Sequence, residues 1–127
     1  MIDHTGLQVT NPQISRRFYD SALAPLGYSA LIEVPKEYTG GAVVIGYGAA
    51  PKADFWVAEG KPNDPKLHIA FRAESRAQVD EFYRAALEAG GTDNGAPGLR
   101  PHYHKDYYGA FVLDPDGHNI EAVCHTP

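Results

Sequence analysis

A single cysteine, Cys124, is all the thiol this 127-residue chain contains, which excludes an intrachain disulfide framework and a cysteine-rich zinc module. No apolar run approaches the ~20 residues that span a bilayer, so no membrane segment is expected. No basic segment followed by an apolar run opens the chain at Met1 to Gly6, so no signal peptide is read there, and the expected location is the cytoplasm. Runs of Lys or Arg are absent as well. With 16 acidic against 11 basic residues and a net charge of −5, the chain offers no phosphate-tracking surface, and nucleic acid is excluded as a partner. The remaining composition, 43% hydrophobic and 21% charged, is that of an ordinary globular protein large enough to bury a core.

The chain does contain an internal repeat. His4 and His68, Phe18-Tyr19 and Phe82-Tyr83, and Gly27 and Gly91 each stand 64 positions apart in similar settings. This spacing predicts two copies of one strand–helix–three-strand unit, residues 1–62 and 66–127, within a single domain of residues 1–127. In the first copy, 2–10 reads as a strand with Leu7 and Val9 on one face and His4, Gly6 and Gln8 on the other. Asn11-Pro12 starts a helix whose apolar stripe is Ile14, Phe18, Ala22 and Leu26, irregular near Pro25 and closed by Gly27. Strands are expected over 28–34, 42–47 and 54–58.

In the second copy, Leu67, Ile69, Phe71 and Ala73 alternate with His68, Ala70 and Arg72. Ser75 and Gln78 then cap a helix with Val79, Phe82, Tyr83, Ala86 and Leu87 on its buried face, closed by Gly90-Gly91. A short strand near Thr92 and a Gly/Pro-rich loop from Asn94 to about Lys105 lead to strands over 107–113 and 119–125. Asp114-Pro115-Asp116-Gly117 is the turn between them. Each helix must cover one face of its sheet. The fold class is therefore α+β, with two βαβββ units forming a curved mixed sheet around a concave cleft.

On the last strand Ile120, Ala122 and Cys124 take the apolar side, which turns Glu121 into the same concavity as His4 and His68. Two imidazoles and a carboxylate from three strands suit one divalent ion per chain (Zn, Ni, Fe(II), Mn or Co) and leave positions open for water and substrate. His118 and His125, after a turn and near the terminus, read as solvent-facing. Cys124 reads as a small buried residue.

The stretches Ile2-Asp3-His4-Thr5, Leu67-His68-Ile69-Ala70-Phe71 and Asp114-Pro115-Asp116-Gly117-His118-Asn119-Ile120-Glu121 resemble the vicinal oxygen chelate superfamily of glyoxalase I, bleomycin-resistance proteins and extradiol dioxygenases. The resemblance covers almost the whole chain. It implies His4, His68 and Glu121 as metal ligands and Glu121 as the catalytic carboxylate. Related folds often dimerise, sometimes completing their clefts across the interface, which makes a homodimer the partner expected by resemblance, a state the sequence itself does not settle. A fourth ligand, a glutamate in glyoxalase I, falls by the repeat offset on Val57, beside Phe55 and Trp56; Glu59 is the alternative on a slipped register. Gln8 stands where glyoxalase I carries an arginine for glutathione, which argues against that substrate. Extradiol dioxygenases carry further His and Tyr residues around the oxygen, and the resemblance offers His102, Tyr103, His104 and Tyr107 as candidates for that role, which the local pattern does not assign. With Trp56 and Gln8, they form the expected substrate lining.

The function so read is metal-dependent chemistry, lyase, isomerase or ring-cleaving dioxygenase, on a small molecule presenting vicinal oxygens. The alternative is a non-enzymatic binder of the bleomycin-resistance type.

Overall fold

The structure is a computed structural model describing residues 1–127. Along the chain run β1 (Thr5–Val9), α1 (Pro12–Leu23), β2 (Ser29–Glu33), β3 (Val44–Gly48), β4 (Phe55–Glu59), β5 (His68–Arg72), α2 (Arg76–Glu88), β6 (Thr92–Leu99), β7 (Tyr108–Leu113) and β8 (Asn119–Cys124). They form two mixed four-stranded sheets of matching topology, ordered β1-β4-β3-β2 and β5-β8-β7-β6. In each sheet the first strand pairs in parallel with the last, and the others are antiparallel. Two βαβββ units in an α+β fold account for this arrangement, as the repeat predicts.

Helix α1 starts where Asn11 accepts hydrogen bonds from the Gln13 and Ile14 amides, with Pro12 in the first turn. Helix α2 starts at Ser75, which accepts from the Gln78 amide, while Gln78 Oε1 reaches back to the amide of Glu74. Both helices press their apolar faces against the sheets and touch each other. Leu7, Phe18, Tyr19, Tyr47, Phe55, Phe71, Phe82 and Ile120 thereby belong to one continuous core shared by both units. Phe55 and Phe71 meet edge to face across the join, centroids 5.1 Å apart.

Four expectations shift. The buried stripe of α1 is Ser15, Phe18, Tyr19, Ala22 and Leu23, so Ile14 is half exposed, and the helix passes into a 3-10 turn at Ala24–Leu26. Strand β1 begins at Thr5, which leaves His4 in the extended segment just before it and Ile2 in solvent. The Gly/Pro-rich stretch is not mainly loop: β6 runs through Leu99, with register breaks on both sides of Gly95 that accommodate its composition. Finally, His118 is completely buried, not solvent-facing.

His118 belongs to a clasp between the units. Its Nδ1 accepts from the Leu67 amide, so the ring proton sits on Nε2 and is donated to the Gln8 carbonyl. Asp114, also buried, accepts from the Tyr19 hydroxyl at 2.6 Å and from the amides of Asp116 and His118. Asp116 accepts from the amide and hydroxyl of Thr10. No helix of the chain is long and apolar enough to cross a membrane.

His118→Ala leaves the partly buried Leu67 amide and Gln8 carbonyl without these partners and opens a small void, so urea unfolding should show a loss of about 2–4 kcal/mol. Tyr19→Phe removes one charge-assisted hydrogen bond and should cost about 1.5–3 kcal/mol in the same measurement. An unchanged midpoint for both would show that the clasp does not hold the units together.

Candidate metal centre

In β5 the even-numbered residues His68, Ala70 and Arg72 are exposed, whereas Phe71 and the following Ala73 face the helices. Strand β8 is central in its sheet and almost wholly buried, so Glu121 is the one carboxylate set into an otherwise apolar interior strand. Pairing places Ala70 beside Glu121 on one side and Phe111 on the other. The side chains of His68 and Glu121 meet on the face opposite the helices, His68 Nε2 standing 2.9 Å from Glu121 Oε1. The imidazole is 52% exposed and the carboxylate 2%.

The second carboxylate oxygen, Oε2, accepts from the Tyr107 hydroxyl. Burial, then the hydrogen bond to Glu121 and its charge, push that hydroxyl far above the usual tyrosine range. Tyr107 is therefore a fixed donor at neutral pH. Two ligands held on one ion at about 2.1 Å and near a right angle stand about 3 Å apart. The 2.9 Å His68–Glu121 separation, a hydrogen bond here, is also the separation of two neighbouring ligands on one divalent ion.

His4 lies on the other sheet. Its side chain is 61% exposed, and its Nδ1 is 2.8 Å from Asp3 Oδ1. Lys52 holds Asp3 from the opposite side at 2.6 Å and, with a smaller contribution from His4, keeps that carboxyl below its ordinary range. His4 and His68 line one open cleft of about 590 Å³ between the start of β1 and the length of β5, together with Tyr28, Phe55 and Phe71. No three His, Cys, Asp or Glu side chains within the chain are grouped closely enough to hold one ion.

The fourth-ligand position needs correction. Gly6 pairs with Trp56 as Ala70 pairs with Glu121, so Trp56, not Val57, is the structural counterpart of Glu121. Val57 is buried on the helix side. Glu59 shares that parity and accepts from the Val43 amide instead, so it does not reach the open face. The Trp56 indole packs close to Gly46, where a Cβ would stand 2.8 Å from its Cζ3. Trp56 also borders a second open hollow with His4.

Of the expected substrate lining, Tyr107 touches Glu121 directly. Tyr103 packs on Tyr107 at 4.8 Å and His102 on Tyr103 at 4.2 Å, both at the exposed rim. His104 accepts the Asp106 amide on Nδ1 and pairs through Nε2 with His125 Nδ1 at 2.9 Å. Gln8 is exposed on the first sheet, its backbone tied to Asn63 and His118. His102, Tyr103, His104 and Tyr107 thus form one aromatic group, while Trp56 and Gln8 lie on the other sheet. Arg100, which opens the same segment as His102 and Tyr103, lays its guanidinium over Phe111, the pairing partner of Glu121.

The profile of the Glyoxalase/Bleomycin resistance protein/Dioxygenase superfamily matches residues 1–122, and the chain belongs to that superfamily. A glyoxalase/bleomycin resistance protein from Albidiferax ferrireducens is 26% identical, with a TM-score of 0.74 over 96% of this chain and 97% of its own. A glyoxylase/bleomycin resistance protein/dioxygenase domain from a Frankia species shares the fold at 17% identity, with a TM-score of 0.72 over 99% and 98% of the two chains. So does a glyoxalase I variant from Zea mays, at 22% identity and a TM-score of 0.71, over 96% of this chain but 46% of that one. No curated protein sequence is significantly similar.

Tyr28, on the cleft wall, donates to Asp54 at 2.9 Å, and burial followed by that hydrogen bond pushes its hydroxyl up to about 12. A raised tyrosine keeps its proton in the folded state after the unfolded chain has lost it, so its contribution to stability is intact below pH ~10 and declines as pH rises toward 12. Absorbance titration at 295 nm should leave some of the eight tyrosines un-ionised at pH 11. Tyr28→Phe should remove one late-titrating group and flatten the alkaline loss of stability.

Proposed function

We propose that this chain is a metal-dependent enzyme whose small-molecule substrate binds a divalent ion through vicinal oxygens. The observation that carries the reading is the His68–Glu121 pair, 2.9 Å apart on the open face with the carboxylate buried. The whole chain, 1–127, acts as one unit, and two copies associate. The partner subunit's His4 supplies the third ligand, because no single chain groups three.

A bound divalent ion of the Zn, Ni, Fe(II), Mn or Co type would polarise a substrate oxygen or, as Fe(II), bind O₂. Tyr107 holds Glu121 Oε2 and so aims Oε1 at the ligand position. Glu121 is the group placed to take a proton from the substrate and return it. Tyr103 and His102 extend the aromatic surface from Tyr107 to the rim of the site. Trp56 in place of a second carboxylate leaves Glu121 as the sole acidic group for proton transfer. The same substitution favours the second reading, a binder of the bleomycin-resistance type, because it trades a ligand for a stacking surface.

Elemental analysis after incubation with Ni, Zn, Mn or anaerobic Fe(II) should give close to one ion per chain, and His68→Ala should abolish it. Tyr107→Phe should weaken metal affinity by about 10- to 100-fold. Mixing His4→Ala with His68→Ala chains should restore about a quarter of the wild-type sites, since half the dimers are mixed and each of those has one intact site. No recovery would place all three ligands in one chain. O₂ uptake with catechols under Fe(II) separates dioxygenase from lyase or isomerase. A wild type that stays metal-free throughout leaves the binder reading.

A further inference from the structure

The open face of the second sheet holds a cation that nothing in the chain neutralises. Arg100 follows β6, and its amide donates to the Tyr107 carbonyl at 2.7 Å, which closes the loop between them. The side chain folds back along the strand. Nη1 donates to the Gly98 carbonyl and Nη2 to the Ala96 carbonyl, both at 2.8 Å. The guanidinium then lies over the Phe111 ring, 5.4 Å from its centroid. Six salt bridges occur in the chain, and none involves Arg100.

The seat is built by the backbone. A Cβ at Gly98 would stand 3.2 Å from Nη1, and one at Gly95 would stand 3.2 Å from Nη2 and 3.0 Å from the Phe111 ring. Gly95 also has φ +149, and the β6–β7 register breaks on both sides of it. Regular strand pairing is thus given up around a guanidinium that gains two carbonyl contacts and no counter-ion. Two of its five N–H donors are spent on those carbonyls, and three remain.

Position gives the rest. Phe111 pairs directly with Glu121, and its ring centroid is 6.2 Å from that of His68. The guanidinium on β6, the phenyl ring on β7 and the carboxylate on β8 therefore lie in one row across the same face. A molecule engaging Glu121 and His68 through its oxygens would cover Phe111 and end at Arg100.

We infer that Arg100 is an anion-binding residue of this site and that the small molecule taken here carries a carboxylate or phosphate group next to an apolar portion lying on Phe111. The inference rests on the proposed reading for the location of the site, not for the presence of a metal. Pinning by two carbonyls leaves the fork pre-oriented, so little side-chain entropy is lost when an oxyanion binds.

The test uses metal-free full-length protein in EDTA, with phenylacetate, phenyl phosphate and neutral phenylacetamide as calorimetric probes. At least one anion should bind roughly tenfold or more tightly than the amide, and the tighter of the two names the group. The preference should shrink in high salt and vanish in Arg100→Gln. Arg100→Lys, which keeps the charge without the fork, should retain part of it and stands in where Arg100→Gln does not fold. Equal binding of the amide, no binding of either anion, or a preference that survives Arg100→Gln overturns the inference. Loss of metal binding in His68→Ala with the anion preference intact bears only on the metal. A wild type that takes up no ion in the metal incubations but still selects anions in EDTA ends the metal reading and keeps this one.

Discussion

Joining two half-sized units into one protein requires a fixed junction, and here a five-residue turn supplies it. Asp114 to His118, between β7 and β8 of the second unit, reach into the first unit with side chains that satisfy β1 and α1. Asp114 uses both carboxylate oxygens and His118 both ring nitrogens. Their burial is tolerable because every polar atom is matched. Gln8 and Thr10 are grasped at the end of β1 and Leu67 just before β5, so the end of one first strand is tied to the beginning of the other. The cleft lined by His4 and His68 lies between the start of β1 and β5.

Symmetry of backbone does not carry over to chemistry. His4 and His68 are equivalent by position, but Trp56 stands where Glu121 stands in the other unit. The first open face offers Gly6, Gly46, Trp56 and the exposed Ile32, and the second offers His68, Glu121, Phe111 and Arg100. One face is chiefly apolar, the other charged at two points with a ring between them. Duplication followed by such divergence gives a single chain two unlike surfaces of similar shape.

The repeat and the alternation in 67–73 made the fold readable, because a buried helix side and an open side impose period two on every strand. Glu121 was legible for the same reason. What failed was the assumption of one constant offset. His4 and His68 are 64 apart, whereas Trp56 and Glu121 are 65 apart, and a one-residue slip moves a side chain to the opposite face. Val57 and Glu59 were therefore assigned to the wrong side. Strand β6 was hidden because its glycines and proline are turn formers by composition, although the bulges they allow let the strand continue. His118 was missed because local sequence shows a polar turn, and only the second unit's docking on the first turns that histidine inward. Ile14 was misplaced by a strict four-residue stripe, where the helix turns a little faster and buries Ser15 and Tyr19 instead.

Glu121 remains the residue that packing alone explains least. Its neighbours on β8 are Ile120, Ala122 and Val123, and its own side chain is almost entirely removed from water. Tyr107 donates to one carboxylate oxygen and His68 meets the other; a glutamine could accept from Tyr107 through its carbonyl oxygen and donate its NH2 to a neutral His68 Nε2, with no ionic desolvation cost. A glutamine there would complete the strand and keep both contacts. The carboxylate brings charge beyond what the fold uses, set next to an imidazole at the spacing of two ligands on one ion. That surplus charge, more than any likeness of fold, is the ground for the metal-dependent reading. Arg100, an unneutralised cation two strands away, is its counterpart on the substrate side.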